Sequence, residues 1–503
     1  MKKSLIYSIV AASLIGVGCS EDFLDPIRSS NVLTHVDFEE NVELNPALIE
    51  GTVEGIASYL IAPRGTLGAS ANRHYDMGQK GVDIWLDLTS GDMALSANSY
   101  GWYQSSANLV TQIDYTREEN RIIWQFYYKV INTSNEVIIS LGGNDAEPED
   151  ATVRRMLGQA KTYRAYAYFY LAQIFQRGYD PNQEILPYID GDEAIAAKVP
   201  ASKIYDLILS DLNHSIDLLD GYTRNGKHQI NKTVAQGILA YVYAAMGDYT
   251  QAKTYADEVI ASGAPLTTTA QLAFPGAGSG FNDVNNPSWI WGYDLTEDMG
   301  HQLIDWWGQI DYFTYSYAAA GDYKSIDNGL YDLIPANDIR KTQFPTTTLG
   351  TNHRMPLNKF FDPNRVPQGQ QVITTDLLFM RVDEFYLLSA EAEAKRPGGS
   401  EAVAKARLIE LLSSRLGGQT EAETYVNSLS GQALIDAIYL QTRIELWGEG
   451  KSYLAMKRNQ ATVTRASNHL FRAGESFNYN VDELSFEIPR IEMDNNPAIT
   501  GQN

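Results

Sequence analysis

The sequence predicts a mainly α-helical protein, with about four helix pairs of the tetratricopeptide type and an irregular, loop-rich half that carries short strands. Three observations lead to this prediction. Two stretches have small residues where paired helices would cross, several others carry apolar residues at helical spacing, and two long blocks lack a helical period. Since 44% of the residues are hydrophobic and 20% are charged, the chain can bury a core and is predicted to be globular.

The clearest helix pair lies between Thr233 and Ser262. Small residues stand where its two helices would cross, and Gly247-Asp248 marks the turn between them. Alanine and glycine at such crossings let two helix backbones approach closely. The segment 159–176 has the same character, with alanines set among aromatic residues, and 118–141 is predicted to be its partner helix.

Further helices follow from apolar spacing. Apolar residues recur at intervals of four and three from Tyr205 to Leu219, which predicts one helix that Gly221 ends. Three later helical runs are predicted at about 377–395, 401–416 and 432–446. About three stacked repeats are enough to bury the shared face of such helix pairs, so these segments suffice for a scaffold.

The blocks at about 60–116 and 262–377 are rich in Gly, Asn, Asp, Pro and aromatic residues. We expect them to form loops and short strands that pack on the helix pairs, so that residues 19–503 make a single body. Within them, the alternating apolar residues of 82–88 predict a half-buried strand that would expose Trp85 on its other face. Trp289 and Trp291 are predicted to lie in a second strand and to face the core.

The N-terminus predicts export and lipid attachment. Lys2 and Lys3 precede an apolar stretch at 5–17, which is too short to span a membrane and has the form of a signal peptide over residues 1–18. Cys19, the single cysteine, follows Gly18 and resembles the lipidated cysteine of a bacterial lipoprotein box. Several acyl chains on one cysteine would hold the protein stably at a membrane. The alternative is a small buried cysteine after an ordinary signal peptide.

Composition argues against several classes of function. A formal charge of −23, without clustered Lys or Arg, disfavours nucleic acid as a partner. The seven histidines lack the spacing of zinc ligands, and no Walker loop, dinucleotide fingerprint or nucleophile elbow is present, so we expect no metal or cofactor. The acidic and amide residues of 282–286 lack the spacing of a calcium loop and are predicted to form a turn. A glycosidase needs only two carboxylates, which the residues alone do not exclude.

The chain resembles the SusD/RagB-like family of outer-membrane nutrient-binding lipoproteins of Bacteroidota. The resemblance runs from end to end and depends on six motifs in the family's order. They are CSEDFLD at 19–25, QAKTYRAYAYFYLAQIFQRGYD at 159–180, the helix turn at 247–249, RVDEFYLLSAEA at 381–392, RIELWGEG at 443–450, and IPRIE at 488–492 with the Asn-Pro and Gln-Asn that follow. Within the fifth motif, Arg443, Glu445 and Glu449 are predicted to be ion-paired at a helix end.

The resemblance implies a fold of four helical-repeat pairs with an irregular ligand-facing half. It also implies a surface lipoprotein without enzymatic activity, held in the outer membrane through Cys19. Such a protein would capture oligosaccharide or polysaccharide, or in some cases peptide, and deliver it to a TonB-dependent, SusC-like transporter. Glu21 and Asp22 resemble the acidic signal for surface export, although they could equally form a solvated tether.

Exposed aromatic rings are the natural candidates for glycan contact, because a sugar presents a face of C–H groups ringed by hydroxyls. Trp306 and Trp307, with Tyr312 and Tyr315, stand among polar residues and predict one wall of a binding site. A second wall is predicted at the tip 98–104. These expectations make the following side chains the candidate ligand contacts: Trp306, Trp307, Tyr312, Tyr315, Trp102, Tyr103 and Trp85. Trp124 and Trp447 fall on helical stripes and are predicted to lie in the core.

Three hypotheses remain open at this stage. The first is a lipid-anchored glycan receptor, the second is a receptor of the same type for peptide, and the third is a surface glycoside hydrolase. Turnover of a glycan would favour the third hypothesis, and an extended groove with backbone-pairing edges would favour the second.

Overall fold

A computed structural model describes residues 49–193, 195–276, 278–346 and 353–503. Residues 49–503 form one compact unit. Within the described ranges, no helix is long and apolar enough to cross a membrane. The predicted signal peptide (1–18), Cys19, Glu21 and Asp22 lie outside the described residues.

Helices dominate the described chain. In chain order they are α1 (Glu50–Tyr59), α2 (Gly78–Thr89), α3 (Gln104–Ala107), α4 (Val110–Ile113), α5 (Glu118–Ser140), α6 (Ala151–Phe175), α7 (Ala201–Leu218), α8 (Lys232–Met246), α9 (Tyr249–Ala261), α10 (Thr269–Leu272), α11 (Trp307–Ile310), α12 (Asn328–Leu333), α13 (Val382–Lys395), α14 (Glu401–Leu412), α15 (Gln419–Asn427), α16 (Gln432–Glu445), α17 (Ser452–Arg458) and α18 (Arg490–Asn495). Short 3-10 turns lie at Ala69–Ala71, Glu297–Met299, Ile339–Gln343 and Asp482–Leu484.

The strands are short and pair two by two. They are β1 (Met93–Leu95), β2 (Glu184–Pro187), β3 (Lys198–Pro200), β4 (Trp289–Tyr293), β5 (Lys324–Ile326), β6 (Leu377–Arg381), β7 (Thr462–Thr464) and β8 (Ser476–Asn478). The antiparallel pairs are β1 with β5, β2 with β3, β4 with β6, and β7 with β8. Two of these pairs, β1–β5 and β4–β6, join segments that are far apart in sequence.

Local sequence explains the best-formed helix pair, α8 and α9. Asn231 caps α8 by accepting a hydrogen bond from the Val234 amide. Gly247 ends α8 with φ of +81°, a conformation that glycine adopts without strain, and Asp248 then caps α9 through the Gln251 amide. The alanines at the crossing, including Ala240 and Ala252 among others, are fully buried. The predicted hairpin at 233–262 is therefore confirmed.

The longer helices stack on one another in sequence. Each helix from α5 to α9 contacts the next one in the chain. Helix α9 then contacts α13, which also packs against α14 and α16. The apolar side of the late helices forms one buried cluster around Leu387, Leu408, Leu411 and Ile438. The mainly helical class is confirmed, and the stacking is consistent with the predicted tetratricopeptide-type pairs.

Two local predictions were wrong. The run 82–88, expected as a half-buried strand, lies within helix α2, in which every residue is buried. Asp83 and Asp87 stand at helical spacing, but within this short window they also alternate with apolar residues, so the pattern fits a strand as well as a helix. The predicted helix at 377–395 begins instead with strand β6, which pairs with β4, and becomes helical only at Val382.

A buried ionic cluster joins the C-terminal end of α16 to the irregular half. Its members are Arg340, Lys359, Arg381, Arg415, Asp338, Asp383, Glu445 and Glu449. Four cations face four carboxylates, so the cluster is neutral as a whole. Burial alone would raise the pKa of Glu445, but the surrounding arginines hold it well below its usual range. Arg443 pairs separately with Asp92 at 2.6 Å. The predicted ion-paired helix end is confirmed.

Candidate functional site

The pairing of β1 with β5 brings two distant aromatic segments together. Leu95 pairs with Lys324, and the ladder continues as the Ser96 amide donates to the Tyr323 carbonyl at 2.8 Å. The tip 98–104 follows β1, and the loop 312–322 precedes β5. Antiparallel pairing therefore places the tip beside the loop, although more than two hundred residues separate them in the chain.

The tip has a fixed backbone. One carboxylate oxygen of Asp322, which is fully buried, accepts hydrogen bonds from the Ser99 amide at 2.5 Å and the Tyr100 amide at 2.8 Å. Gly101 has φ of +88° and donates its amide to the Asn98 side chain at 2.8 Å. A residue with a Cβ is strained in that conformation, so glycine is what permits this turn. The rings on either side of Gly101 are thereby held in a defined orientation.

Four side chains form what we call the aromatic arc: His74, Tyr100, Trp102 and Tyr317. The imidazole of His74 stacks on the indole of Trp102, with ring centroids 4.9 Å apart and planes 7° from parallel. Tyr317 meets Tyr100 edge-on at 5.2 Å and Trp102 at 6.0 Å. Tyr100 is 61% exposed, whereas His74 and Trp102 are half-buried. The arc thus presents aromatic surface to solvent on a packed base.

Hydrogen bonds define the state of His74. Its Nδ1 lies 2.6 Å from the Tyr317 hydroxyl, and its Nε2 lies 3.0 Å from the Asn72 amide oxygen. Burial, assisted by the charge of Arg64, lowers the pKa of His74 below its ordinary value. A neutral ring that donates from Nε2 to Asn72 and accepts at Nδ1 from Tyr317 satisfies both contacts. The arc is therefore uncharged at neutral pH.

A polar network lies beneath the arc. The Lys324 ammonium is fully buried and donates to the Gln309 side-chain oxygen at 2.9 Å, and the Gln309 amide nitrogen donates to the His74 carbonyl at 3.1 Å. Burial lowers the pKa of Lys324 to about 8. Gln309 lies in the short helix α11, so this network ties α11 and β5 to the backbone that carries His74.

Four predicted contact residues are buried, and the expectation that they face a ligand was wrong. Trp85 is 0% exposed, Tyr103 1%, Trp306 3% and Trp307 1%. Trp85 and Tyr103 pack on each other with centroids 5.6 Å apart. Trp306 packs edge-on against Trp307 at 5.0 Å and against Phe360 at 4.8 Å. Buried rings of this kind contribute to core packing and have no free face for a sugar.

The polar neighbours of Trp306 misled the prediction because they are buried too. His301 and Asp305 are nearly inaccessible and lie 2.6 Å apart, and Asp305 accepts the Trp307 amide at 2.9 Å. Polar residues in this block therefore mark an internal hydrogen-bond network. Trp124, Trp289, Trp291 and Trp447 are buried, as predicted.

Three predicted contact residues remain accessible. Trp102 and Tyr312 are half-buried, and Tyr315 is 49% exposed on the same loop as Tyr317. The candidate list did not include Tyr100, Tyr317 or His74. The sequence of the tip and of the loop already contained Tyr100 and Tyr317, but no local signal marks His74, which lies 243 residues before its partner Tyr317.

No metal centre accompanies the arc. Across residues 49–193, 195–276, 278–346 and 353–503, no group of three or more His, Cys, Asp or Glu side chains is placed to hold a metal ion. What the arc offers chemically is flat apolar surface next to hydroxyl, imidazole and amide groups, which suits a ligand that is itself part apolar and part hydroxylated.

Comparisons with known proteins agree with this architecture. One family, described as starch-binding and associating with the outer membrane, matches residues 68–244, and the SusD family matches residues 339–503. No curated protein sequence matches the chain.

Solved structures of similar fold cover almost the whole chain. A SusD-like carbohydrate binding protein from Bacteroides vulgatus is 24% identical, covers 90% of this chain and 97% of its own, and has a TM-score of 0.70. A SusD superfamily protein from Bacteroides thetaiotaomicron is 20% identical, with coverage of 92% and 99% and a TM-score of 0.71. Surface glycan-binding protein A from Bacteroides fluxus is 15% identical, with coverage of 91% and 98% and a TM-score of 0.67.

At these identities the structural likeness shows a shared fold. Together with the two sequence-family matches, which include most of the helical scaffold, it settles the classification. The chain belongs to the SusD/RagB-like family, whose members are associated with the outer membrane.

Proposed function

We propose that this protein captures glycans on the aromatic arc at the cell surface and delivers them to a TonB-dependent, SusC-like transporter in the outer membrane. The observation that carries the proposal is the arc itself, in which Tyr100 and Trp102 present ring surface held by the Asp322 carboxylate and the His74 stack. Tyr315, exposed on the adjoining loop, extends this surface.

The arc suits a glycan in energy as well as in shape. A pyranose ring that covers about 75 Å² of an aromatic face gains roughly 2 kcal/mol at ~25 cal/mol per Å² of apolar area. One such contact does not repay the entropy lost on association, so a receptor needs several contacts in register. The fixed backbone of the tip and the packed base of the arc reduce the ordering cost on binding.

The comparisons support the same ligand class. The similar structure from Bacteroides vulgatus is named a carbohydrate binding protein, and the one from Bacteroides fluxus a surface glycan-binding protein. Family membership and the predicted lipoprotein signal support delivery to a transporter and attachment through lipid on Cys19 as parts of this proposal. We expect binding without turnover.

Calorimetric titration of the mature chain with plant, algal, fungal and host glycans tests the proposal. The expected result is binding of at least one neutral glycan, weakened about 30-fold by Trp102→Ala, which corresponds to ~2 kcal/mol. Tyr100→Ala weakens it by a comparable factor. Tyr115→Ala, which removes a ring that is 40% exposed outside the arc, is the matched control and leaves affinity unchanged.

The same protein preparations separate the alternatives. Release of reducing sugar from a bound glycan would replace the receptor with a hydrolase. Binding confined to peptides, and insensitive to both arc variants, would contradict the proposed site.

Two separate experiments test the anchor and the delivery step. Loss of Cys19→Ala protein from the membrane fraction tests the anchor, and co-purification of the native lipoprotein with a barrel transporter tests delivery.

A further inference from the structure

An accessible cavity of about 660 Å³ lies in the irregular half, and none of its lining residues belongs to the arc. We call it the amide pocket; its lining includes Phe274, Asn282, Asp283, Asn285 and Asn286. We propose that the amide pocket binds one uncharged sugar unit through adjacent hydroxyl groups, as a second subsite for the glycan. Its place in glycan capture depends on the function proposed above, whereas the binding of a sugar unit can be measured separately.

Residues with free hydrogen-bonding groups line the pocket. Asp283 accepts the Asn285 amide with Oδ1 at 2.8 Å, which leaves its Oδ2 available. Asn282 donates to the Phe361 carbonyl at 3.0 Å and keeps its side-chain oxygen. In the described part of the chain, the side-chain nitrogen of Asn286 has no partner, although the residue is only 6% exposed. This nitrogen is itself buried and out of reach of a ligand, so a sugar hydroxyl would contact the free side-chain oxygens of Asp283 and Asn282 instead.

Amide groups beside carboxylates match the chemistry of a sugar. Each hydroxyl can donate one hydrogen bond and accept others, so neighbouring hydroxyls are best met by an acceptor next to a donor. Asp283 supplies acceptors, and Asn285 supplies both kinds of group from an exposed side chain. The cavity volume falls within the range of about 300–1,000 Å³ that is usual for small-ligand sites.

An exposed ring provides the apolar part of the pocket. Phe274 is 39% exposed and meets Phe361 edge-on, with centroids 5.7 Å apart. Its free surface can cover the C–H groups of a sugar while the amides contact the hydroxyls. The pocket therefore contains the same two kinds of contact as the arc.

Charge selects against anionic sugars. Asp283, Asp294 and Asp376 all line the cavity. Burial, with the neighbouring Asp294 and Asp283, raises the pKa of Asp376 to about 6, as expected where carboxylates crowd a partly buried space. A uronate or sulfate would add a further negative charge to these three carboxylates, which face Arg365 on the Phe274 ring and Lys227 on the Asn286 carbonyl as neighbouring cations. The carboxylates can accept hydrogen bonds from sugar hydroxyls.

Arg365 connects the pocket to the loop 312–322, which carries Tyr315 and Tyr317 and is called the arc loop below. Its guanidinium lies 3.9 Å from the ring centroid of Phe274 and 4.3 Å from that of Phe313. The segment after Arg365 then pairs with the arc loop, where the Tyr315 amide donates to the Gln370 carbonyl at 2.8 Å. This continuity is what favours two subsites of one ligand over two unrelated sites.

Ligand-observed NMR titration of the mature protein with single sugars tests the pocket. The probes are glucose, galactose, mannose, arabinose and N-acetylglucosamine, with glucuronate as the anionic comparison. The pocket variant is Asn285→Ala with Asp294→Asn, and the matched control is Asn427→Ala with Asp217→Asn; all four side chains are exposed. At least one neutral sugar is expected to bind, about tenfold more weakly to the pocket variant and unchanged with the control. Glucuronate is expected not to bind.

Each other outcome overturns a defined part of the reasoning. Absence of binding by every neutral sugar, or binding that the pocket variant does not weaken, rejects the pocket. Binding that requires calcium and disappears in EDTA would show a cation site and also rejects it. If the pocket variant loses the single sugar while Tyr100→Ala leaves long glycans bound, the pocket stands and the function proposed for the arc fails. If the pocket variant binds the single sugar as tightly as the wild type while Tyr100→Ala weakens the binding of long glycans, only the pocket is rejected.

Discussion

Replacing Glu445 by glutamine tests whether the buried ionic cluster holds the helix stack to the irregular half. Glu445 accepts from Arg381 at 2.8 Å, from Arg415 at 2.7 Å and from Arg340 at 2.9 Å. Glutamine preserves the shape of the side chain but removes its charge and turns an N–H towards arginine donors. A balanced cluster then becomes a buried excess of positive charge.

The expected cost is large. Removing one partner of a buried ion pair typically destabilises a protein by about 3–5 kcal/mol. For a unit of this size, an unfolding entropy of ~2.1 cal/mol/K per residue converts each kcal/mol into roughly 1 °C of Tm. We therefore expect a Tm lower by roughly 3–5 °C in scanning calorimetry, and a free energy of unfolding lower by the same 3–5 kcal/mol in urea titrations.

The matched control is Glu410→Gln. Glu410 also pairs with an arginine, Arg407, but its side chain is 54% exposed. Such surface pairs contribute about 0–1 kcal/mol, so the control should shift Tm by about 1 °C or less. If Glu445→Gln costs no more than Glu410→Gln, the cluster does not hold the two parts together and the reasoning is wrong.

Other substitutions separate folding from binding. Trp306→Ala removes a ring that is 3% exposed and should lower the free energy of unfolding by about 3–5 kcal/mol in urea titrations, without changing glycan affinity per folded molecule. Binding to the wild type should weaken as pH falls below 6.5, because a protonated His74 cannot accept from the Tyr317 hydroxyl; in calorimetric pH profiles, His74→Phe should lose this acid limb. Burial alone would raise the pKa of Glu391, but Arg458 helps lower it to about 2, so about 3 kcal/mol of stability is present above pH 4.5 and lost towards pH 2. In urea unfolding at a series of pH values, the free energy of unfolding of Glu391→Gln should fall less steeply between pH 4.5 and pH 2 than that of the wild type.

The helical scaffold could be predicted because its signals are local. The turn at Gly247-Asp248, the stop near Gly221 and the alanines of the crossings act within one or two helix turns of the residues they affect. Helix α5, predicted at 118–141, is observed at Glu118–Ser140. Helix α2 was not predicted because Asp83 and Asp87 alternate with apolar residues over 82–88, a pattern that fits a half-buried strand, whereas both carboxylates are in fact buried.

The candidate site was only partly predictable because long-range pairing creates it. Trp102 could be predicted as a contact residue from the sequence of the tip. Its position beside Tyr317, however, depends on the β1–β5 ladder, which no local pattern encodes. His74 comes from a third segment and has no motif of its own. Trp306 and Trp307 show the opposite error, since their polar neighbours indicated exposure while the fold buried both the rings and those neighbours.

The charge distribution restricts the class of glycan that the arc can bind more than ring stacking does. The chain has a formal charge of −23, yet the arc has no ionised side chain at neutral pH, since burial keeps His74 neutral. Two charged groups next to the arc, Lys324 and Asp322, are fully buried beneath it, and the half-buried Arg64 lies close enough to His74 to lower its pKa. Affinity at the arc must then come from apolar area and neutral hydrogen bonds, which salt does not screen. The side chains of the arc do not offset the overall acidic charge of the chain, so this overall charge favours an uncharged polymer at the arc.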